Sequence, residues 1–331
     1  MSAERRLRVS YQDLFDTLLA ALARTGMEPD RAALCAKLVA DATRDGVASH
    51  GVNRFPRFMT MIRSGVVDVR ARPALVAAHG ALERWDGRRG PGNLNAHDSM
   101  ARAIVLAAEH GVGCVALANT NHWMRGGTYG WQAADAGVIG ICWTNTCPNM
   151  VPWGSSDARI GNNPLVIAVP RPSGHVVLDM AVSQFSVGAV TMHRLRGEPL
   201  PIDGGLDEAG RPTRDPAAIE ATKKLLPIGL WKGSGLAVML DLVGAILAGG
   251  LATHQIDSDP ERETSLSQVF IACRVDAREA ATIADAVIAY LHESTGAVRY
   301  PGERTLEART KNVAEGIPID ERVWDEVRKL R

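Results

Sequence analysis

Residues 111–116, Gly111-Val112-Gly113-Cys114-Val115-Ala116, match the pattern G-x-G-x-x-G/A, which in the right structural context indicates a Rossmann fold. In that fold the glycines follow a strand and open a helix, whose N-terminus then faces a pyrophosphate. Here the order is reversed, because a helical pattern at residues 93–110 precedes the glycines and an apolar strand at residues 114–118 follows them. The glycines are therefore predicted to end a helix, and a Rossmann phosphate loop is rejected.

Short strand-like runs alternate with helical patterns along most of the chain, which indicates the α/β class. Helices are predicted at residues 10–24, 29–44, 56–63, 93–110, 129–136, 182–194, 215–224, 233–249 and 278–294, and strands at 114–118, 139–143, 165–169, 176–180 and 269–275. We expect an N-terminal helical region over residues 1–70 and an α/β core over residues 71–304. The tail from Leu306 is predicted to be helical, so that residues 305–331 pack on the first region.

The composition is that of a soluble globular protein. The 331 residues carry 37 Lys+Arg and 37 Asp+Glu, without a basic stripe interleaved with aromatics, which argues against nucleic acid as a partner. The charged start, Met-Ser-Ala-Glu-Arg-Arg-Leu-Arg, is unlike a signal peptide. The apolar run 235–251 has Asp241 at its centre and is predicted to be a buried helix, not a membrane span. Five scattered cysteines predict packed free thiols, and we expect a cytoplasmic location.

A polar loop between two predicted helices carries groups with catalytic chemistry. It reads Ser49-His50-Gly51-Val52-Asn53-Arg54-Phe55-Pro56-Arg57-Phe58. An imidazole such as that of His50 exchanges a proton near neutral pH, and the planar guanidinium of Arg54 matches a carboxylate in bidentate fashion. A proton donor beside a carboxylate anchor suits the reduction of a 2-oxo acid. The alternative is a helix-ending loop whose Ser, Asn and Arg only cap helix termini.

A second polar loop follows the strand predicted at residues 114–118. It reads N-H-W-M-R-G-G-T-Y-G-W at residues 121–131, with His122 and Arg125 as donors beside glycines. Loops at the carboxyl ends of strands bind ligands in α/β proteins, and Asn145 follows the next strand in the same way. A Gly-rich helix entry is the alternative. No His-x-x-x-His or His-x-His spacing occurs, so no metal site is predicted.

Six short segments, each present once, follow one another along the chain. They are S-H-G-V-N-R-F-P-R-F at 49–58, N-H-W-M-R-G-G-T-Y-G-W at 121–131, G-I-C-W-T-N at 140–145, I-G-N-N-P at 160–164, L-W-K-G-S-G at 230–235 and P-G-E at 301–303. Together they resemble the malate/L-lactate dehydrogenase family of non-Rossmann NAD(P)-dependent oxidoreductases. The resemblance implies a homodimer with its own α/β dinucleotide-binding fold, and it makes His50 the proton donor. It places cofactor-binding residues at His175, Val176, Val177, Leu178, Asp179, Met180, Ala181, Trp231, Lys232, Gly302, Glu303 and Arg304.

These features predict an NAD(P)H-dependent reductase of a small 2-oxo acid. His50 would protonate the carbonyl oxygen and Arg54 would bind the carboxylate. The further substrate-binding candidates are Ser49, His122, Arg125 and Asn145. The first candidate substrate is 2,3-diketo-L-gulonate, and the alternatives are pyruvate, oxaloacetate, ureidoglycolate or a cyclic imino acid. NADH is the expected cofactor and NADPH the alternative. From other classes, a metal-assisted lyase or hydrolase of sugar acids and a non-catalytic binding protein stay open.

Overall fold

The structure is a computed structural model that describes residues 6–259 and 261–331. Residues 1–5, which belong to the charged start considered for a signal peptide, lie outside the described residues. The strands are β1 (Arg6–Val9), β2 (Ala74–His79), β3 (Leu82–Asp86), β4 (Val112–Thr120), β5 (Val138–Thr144), β6 (Leu165–Val169), β7 (Val176–Met180), β8 (Gly205–Leu206), β9 (Pro212–Thr213), β10 (Leu266–Arg274) and β11 (Ile317–Asp320). The α-helices are α1 (Tyr11–Ala23), α2 (Pro29–Arg44), α3 (Phe55–Arg63), α4 (Gly92–His110), α5 (Gly127–Asp135), α6 (Val187–Arg196), α7 (Pro216–Thr222), α8 (Trp231–Ala248), α9 (Ala277–His292), α10 (Glu303–Glu315) and α11 (Glu321–Arg328). The α/β class is confirmed.

The centre of the fold is a mixed sheet with the strand order β2-β3-β4-β10-β5-β6-β7. Strands β3 and β4 run parallel, whereas the other neighbouring pairs in this sheet are antiparallel. A Rossmann fold needs a mostly parallel sheet, so this topology agrees with the rejection of the glycine motif.

The two glycines at the α4–β4 junction end a helix, as predicted. Gly111 is the C-cap of α4 with φ 83°, and its N–H donates to the carbonyl of Ala107. A Cβ on Gly113 would lie 2.1 Å from the backbone oxygen of Ala103, so only glycine allows α4 to pack this closely on β4. These glycines therefore serve packing.

The N-terminal helices and the C-terminal tail share one hydrophobic core. Leu14 and Phe55 are among its buried members, and Ile317 and Trp324 come to it from the other end of the chain. The tail is not helical throughout, contrary to the prediction, because β11 interrupts it and pairs antiparallel with β1. Ile317 and Ile319 alternate with more exposed neighbours, which is the period of a strand.

Two other predictions needed correction. Helix α6 begins at Val187 instead of residue 182, because Ser186 caps it by accepting the N–H of Ala189, and Ser183 bridges to Pro227 instead. The strands β2 and β3 were not predicted from the sequence.

Helix α8 is only partly buried, so the prediction of a buried helix was wrong for its outer face. Met239, Leu242 and Ile246 are 55%, 46% and 71% exposed on that face. By length and composition α8 could cross a membrane, a test that core helices of soluble proteins also pass. Its central Asp241 faces inward, where it accepts hydrogen bonds from the Asn145 side chain and the Thr253 backbone. The helix thus packs on the sheet with one face and leaves an apolar face outside.

Candidate active site

Two short 3-10 turns between α2 and α3 hold the loop that contains His50 and Arg54. They span Ala48–His50 and Val52–Arg54, with Gly51 between them. A Cβ on Gly51 would lie 2.3 Å from Oγ1 of Thr43 in α2, and the same Oγ1 accepts the N–H of Val52. The loop is therefore fixed against α2 by close packing that only glycine permits.

His50 is a partly buried imidazole that is neutral in the free protein. Its Nδ1 lies 3.1 Å from Oγ of Ser49. Burial, together with the positive charges of Arg54 and Arg125, lowers the pKa of His50 to about 4. A negative charge that enters the site would oppose the effect of these two cations and favour protonation.

His122 lies beside His50 with a defined hydrogen-bonding state. The two rings are stacked, with centroids 6.0 Å apart and planes 16° from parallel. Nδ1 of His122 accepts the backbone N–H of Met124 at 3.0 Å, so the proton of the neutral ring is assigned to Nε2. Met124 adopts the left-handed region at φ 64°, which a non-glycine residue seldom does. Burial and nearby positive charge lower the pKa of His122 well below its usual value, so Nε2–H is a stable hydrogen-bond donor.

Arg54 has a charge partner that the sequence did not reveal. Its Nη2 lies 3.6 Å from Oε2 of Glu263, a side chain that is only 6% exposed. The other oxygen of Glu263 accepts the backbone N–H of Cys147. Burial lowers the pKa of Arg54 to about 10, which still leaves the guanidinium charged at neutral pH. Glu263 stands far along the chain in a charged loop, where no spacing pattern distinguishes it.

Arg125 has a structural partner, which differs from the predicted role in substrate binding. Its Nη1 donates to Oδ2 of Asp45 at 2.8 Å, and both side chains are nearly inaccessible. Arg309 in α10 binds the same carboxylate in bidentate fashion, and Arg44 donates to it as well. Arg125 therefore acts on His50 through its charge, while Asp45 holds Nη1 and the buried Nε has no hydrogen-bond partner among the described residues.

Asn145, which was predicted to bind substrate, has its side-chain amide engaged within the fold. Its Nδ2 donates to Asp241 and to the carbonyl of Leu251, and its Oδ1 accepts the N–H of Ser267. Both amide hydrogens and the oxygen are used, which leaves no free donor for a ligand. Asn145 ties β5 to α8 and β10.

The three segments predicted to bind a cofactor are adjacent in the structure. The backbone N–H of Val177 in β7 donates to the carbonyl of Pro301, next to Gly302. Beyond β7, Val182 accepts the N–H of Ile228, which lies just before Trp231 and Lys232 at the start of α8. Segments that are distant in sequence are thus joined by backbone hydrogen bonds.

Several side chains in these segments have distinct environments. Both ring nitrogens of His175 have polar partners, because Nδ1 accepts the N–H of Arg171 and Nε2 lies 3.0 Å from a carboxylate oxygen of Asp135. Asp179 accepts the N–H of Gly127 at the start of α5, and burial raises the pKa of this carboxyl. Trp231 and Lys232 are exposed. Oε2 of Glu303 is buried and has no hydrogen-bond partner among the described residues, although the other oxygen lies 3.6 Å from His292.

No group of three or more His, Cys, Asp or Glu side chains is placed to hold a metal ion within residues 6–259 and 261–331. The site is instead built from two imidazoles, two guanidiniums and a nearby backbone surface, an arrangement suited to proton transfer onto an anion.

Comparison with known proteins gives full-length matches. Residues 9–328 match the malate/L-lactate dehydrogenase family. The 2,3-diketo-L-gulonate reductases of Citrobacter koseri and Shigella boydii are 42% and 41% identical over 333 residues, covering 98% of this chain and 100% of each relative. The solved sulfolactate dehydrogenase from Methanocaldococcus jannaschii is 27% identical with a TM-score of 0.90, covering 98% of this chain and 96% of that one. The solved Δ1-piperideine-2-carboxylate reductase from Pseudomonas syringae is 30% identical with a TM-score of 0.89, and the match covers 98% of this chain and 100% of that one.

We expect His50 to stay neutral down to a pH of about 4 to 5 in the free protein and to gain a proton more readily when an anion binds. Oxalate should raise the pKa of His50 by about one unit, since it offsets the charge of Arg54. Histidine-selective 13C NMR measures both titrations, with the His50 signal assigned by its loss in His50→Gln. A free-protein pKa near 6.5, or one that oxalate leaves unchanged, would contradict the electrostatics described here.

Proposed function

This chain belongs to the malate/L-lactate dehydrogenase family, and we propose that it reduces the 2-oxo group of a small acid, with 2,3-diketo-L-gulonate as its substrate. Its family makes it an NAD(P)-dependent oxidoreductase. The observation that carries the proposal is the position of His50, which stacks on His122 and lies within the field of Arg54. The choice of acid is supported by the names of the full-length relatives.

In the proposed reaction His50 donates a proton to the oxygen that becomes a hydroxyl. Bound NAD(P)H supplies the hydride for the carbonyl carbon. Nε2–H of His122 is oriented by the N–H of Met124 and can donate to the oxygen as negative charge develops on it. The substrate carboxylate offsets the charge of Arg54, so binding itself raises the pKa of His50 toward the value a proton donor needs.

The adjacent cofactor segments fit a nicotinamide dinucleotide, and we infer NADH as the preferred form. A Cβ on Gly302 would lie 3.0 Å from the backbone nitrogen of Val177, so glycine lets this segment pack closely on β7. The unpartnered Oε2 of Glu303 is a suitable acceptor for a ribose hydroxyl, whereas it would repel a 2′-phosphate. Lys232 suits a phosphate as a point charge.

His50→Gln should lower kcat/KM for 2,3-diketo-L-gulonate by about 10²–10⁴-fold, the usual contribution of a positioned general acid. Glutamine keeps a polar side chain at this position but cannot supply the proton. The measurement is NADH oxidation at the reduced-nicotinamide absorbance band, over a panel that adds pyruvate, oxaloacetate and a cyclic imino acid.

The matched control is His79→Gln at the exposed end of β2, which should retain wild-type turnover. Full turnover by His50→Gln would remove His50 from the mechanism. Wild-type activity with another acid of the panel alone would replace the substrate and keep the family. Activity that depends on a divalent metal and is lost with chelator would instead favour the lyase alternative.

Glu303→Gln should raise KM for NADH by about tenfold, because a hydrogen bond to a charged acceptor contributes about 1.5–3 kcal/mol. The ratio of kcat/KM for NADPH to that for NADH should rise, since the negative charge near the ribose is gone. Glu307→Gln, an exposed carboxylate on the same helix that pairs with Arg299, is the control. A wild-type preference for NADPH, or a ratio that Glu303→Gln does not change, would overturn this assignment.

We also infer a homodimer, on the basis of two apolar faces exposed on helices. One is the outer face of α8, and the other consists of Ile283, Val287 and Tyr290 on α9, which are 57%, 61% and 78% exposed. Their spacing of four and three residues places them on one side of the helix. Contiguous apolar surface of this kind marks protein interfaces, and a second copy is the simplest occupant.

Sedimentation equilibrium should give twice the chain mass of 35.5 kDa, and the double variant Ile246→Lys/Val287→Lys should shift the protein to monomer. Each lysine would place a charge within an apolar interface. Val313→Lys, at an exposed apolar position on α10, should leave the dimer intact. A wild-type monomer at micromolar concentration would refute the inference.

A further inference from the structure

We propose that Arg57 binds a substrate oxygen beyond the 2-oxo acid group, and thereby selects an oxygen-rich acid over a short one. This inference rests on the proposed function, because it concerns the far end of the same substrate.

Arg54 and Arg57 place two positive charges at the N-terminus of α3, where negative charges are normally favoured. Arg54 is the N-cap of α3 and Arg57 lies in its first turn, where the helix contains no acidic residue. A spacing of three residues puts their side chains on one face. Cations are unfavourable at a helix N-terminus because the exposed backbone N–H groups carry partial positive charge. Two guanidiniums there are costly unless an anion or a polar ligand offsets them.

The two guanidiniums differ in how well the fold satisfies them. Arg54 has the carboxylate of Glu263 at 3.6 Å. Nε and Nη2 of Arg57 are buried, and neither has a hydrogen-bond partner among the described residues. Buried donors are nearly always paired in proteins, so a pair of unpaired ones in one side chain points to a ligand.

Arg57 lines a cavity of about 10 Å³, which has room for one water-sized group; its other polar lining residues are Arg54, Asn121 and His122, and the remaining ones are apolar. Asn121 brings an acceptor to match the donors of Arg57. Its Nδ2 donates to the carbonyls of Arg89 and Gly90, whereas its Oδ1 is buried without a partner. A hydroxyl group both donates and accepts, so a site with free donors on one side and a free acceptor on another suits hydroxyl or oxo oxygens.

The position of Arg57 relative to His50 decides which part of a substrate it reaches. The charges that act on His50 are those of Arg54 and Arg125, whereas Arg57 acts on His122 and Arg54. The cavity lined by Arg57 also includes His122 and Arg54 but not His50. With the reacting carbonyl proposed at His50 and the carboxylate at Arg54, the space for one oxygen atom beside Arg57 is left to the remaining part of the substrate.

The test is Arg57→Met, which keeps a flexible apolar stem and removes every donor. We expect the ratio of kcat/KM for 2,3-diketo-L-gulonate to that for pyruvate to fall by about 10–100-fold, mostly through KM for the long acid. Calorimetric Kd values for oxalate on NADH-loaded protein provide a short-acid reference that does not depend on turnover of pyruvate. Arg63→Met, on the exposed side of the same helix, is the control and should leave the ratio unchanged.

Thermal unfolding separates a ligand contact from a structural one. Since the donors of Arg57 are unpaired in the free protein, Arg57→Met should keep or raise Tm, whereas loss of a structural residue would lower it. An equal loss of binding for oxalate and for the long acid would overturn the proposal and make Arg57 part of the carboxylate anchor. An unchanged ratio would also overturn it. The wild-type panel tests the proposed function separately, because it does not involve the variant.

Discussion

The site depends on one buried carboxylate, that of Asp45, which is 3% exposed and accepts from three guanidinium groups. Arg44 belongs to α2, Arg125 to the loop after β4, and Arg309 to α10. One anion thus joins the N-terminal helices, the central sheet and the C-terminal helices beside the His50 loop. The guanidinium of Arg309 also lies 4.6 Å from the ring centroid of Trp131, which extends the contact to α5. Breaking such a buried ion cluster would leave buried charges without partners, which is strongly unfavourable. The cluster therefore holds these layers in one arrangement.

Burial, and after it the positive charges of Arg54 and Arg125, disfavour a protonated His50. An anion bound at Arg54 would offset the electrostatic part of this effect, because it acts on charges that are already fixed in place. In the proposed mechanism, proton donation by His50 is thereby coupled to the binding of an anionic substrate.

The sequence predicted the order of most helices and strands, because their hydrophobic periods are strong and local. Its predictions for the His50 loop and for the cofactor segments stay predictions, although backbone hydrogen bonds do join the cofactor segments. It did not identify Glu263, whose role arises from a contact with Arg54 across the fold. It also did not show that partners distant in sequence engage the side-chain amide of Asn145 and one guanidinium nitrogen of Arg125. The exposed face of α8 was missed because amino-acid composition cannot distinguish a fully buried helix from a helix with an exposed apolar face.

The pairing of β1 with β11 places the two ends of the chain in one small sheet. Helix α11 packs beside this sheet on α1, on α3 and on the 3-10 turn that contains Arg54. The loop that contains His50 and Arg54 is therefore supported by residues 317–328, which lie far from it in sequence. Contacts between such distant segments carry a loop-closure cost that local contacts do not, so the layer around His50 is complete only when both segments have folded together. A chain cut before residue 317 would consequently keep His50 and Arg54 without the helix that packs on their loop.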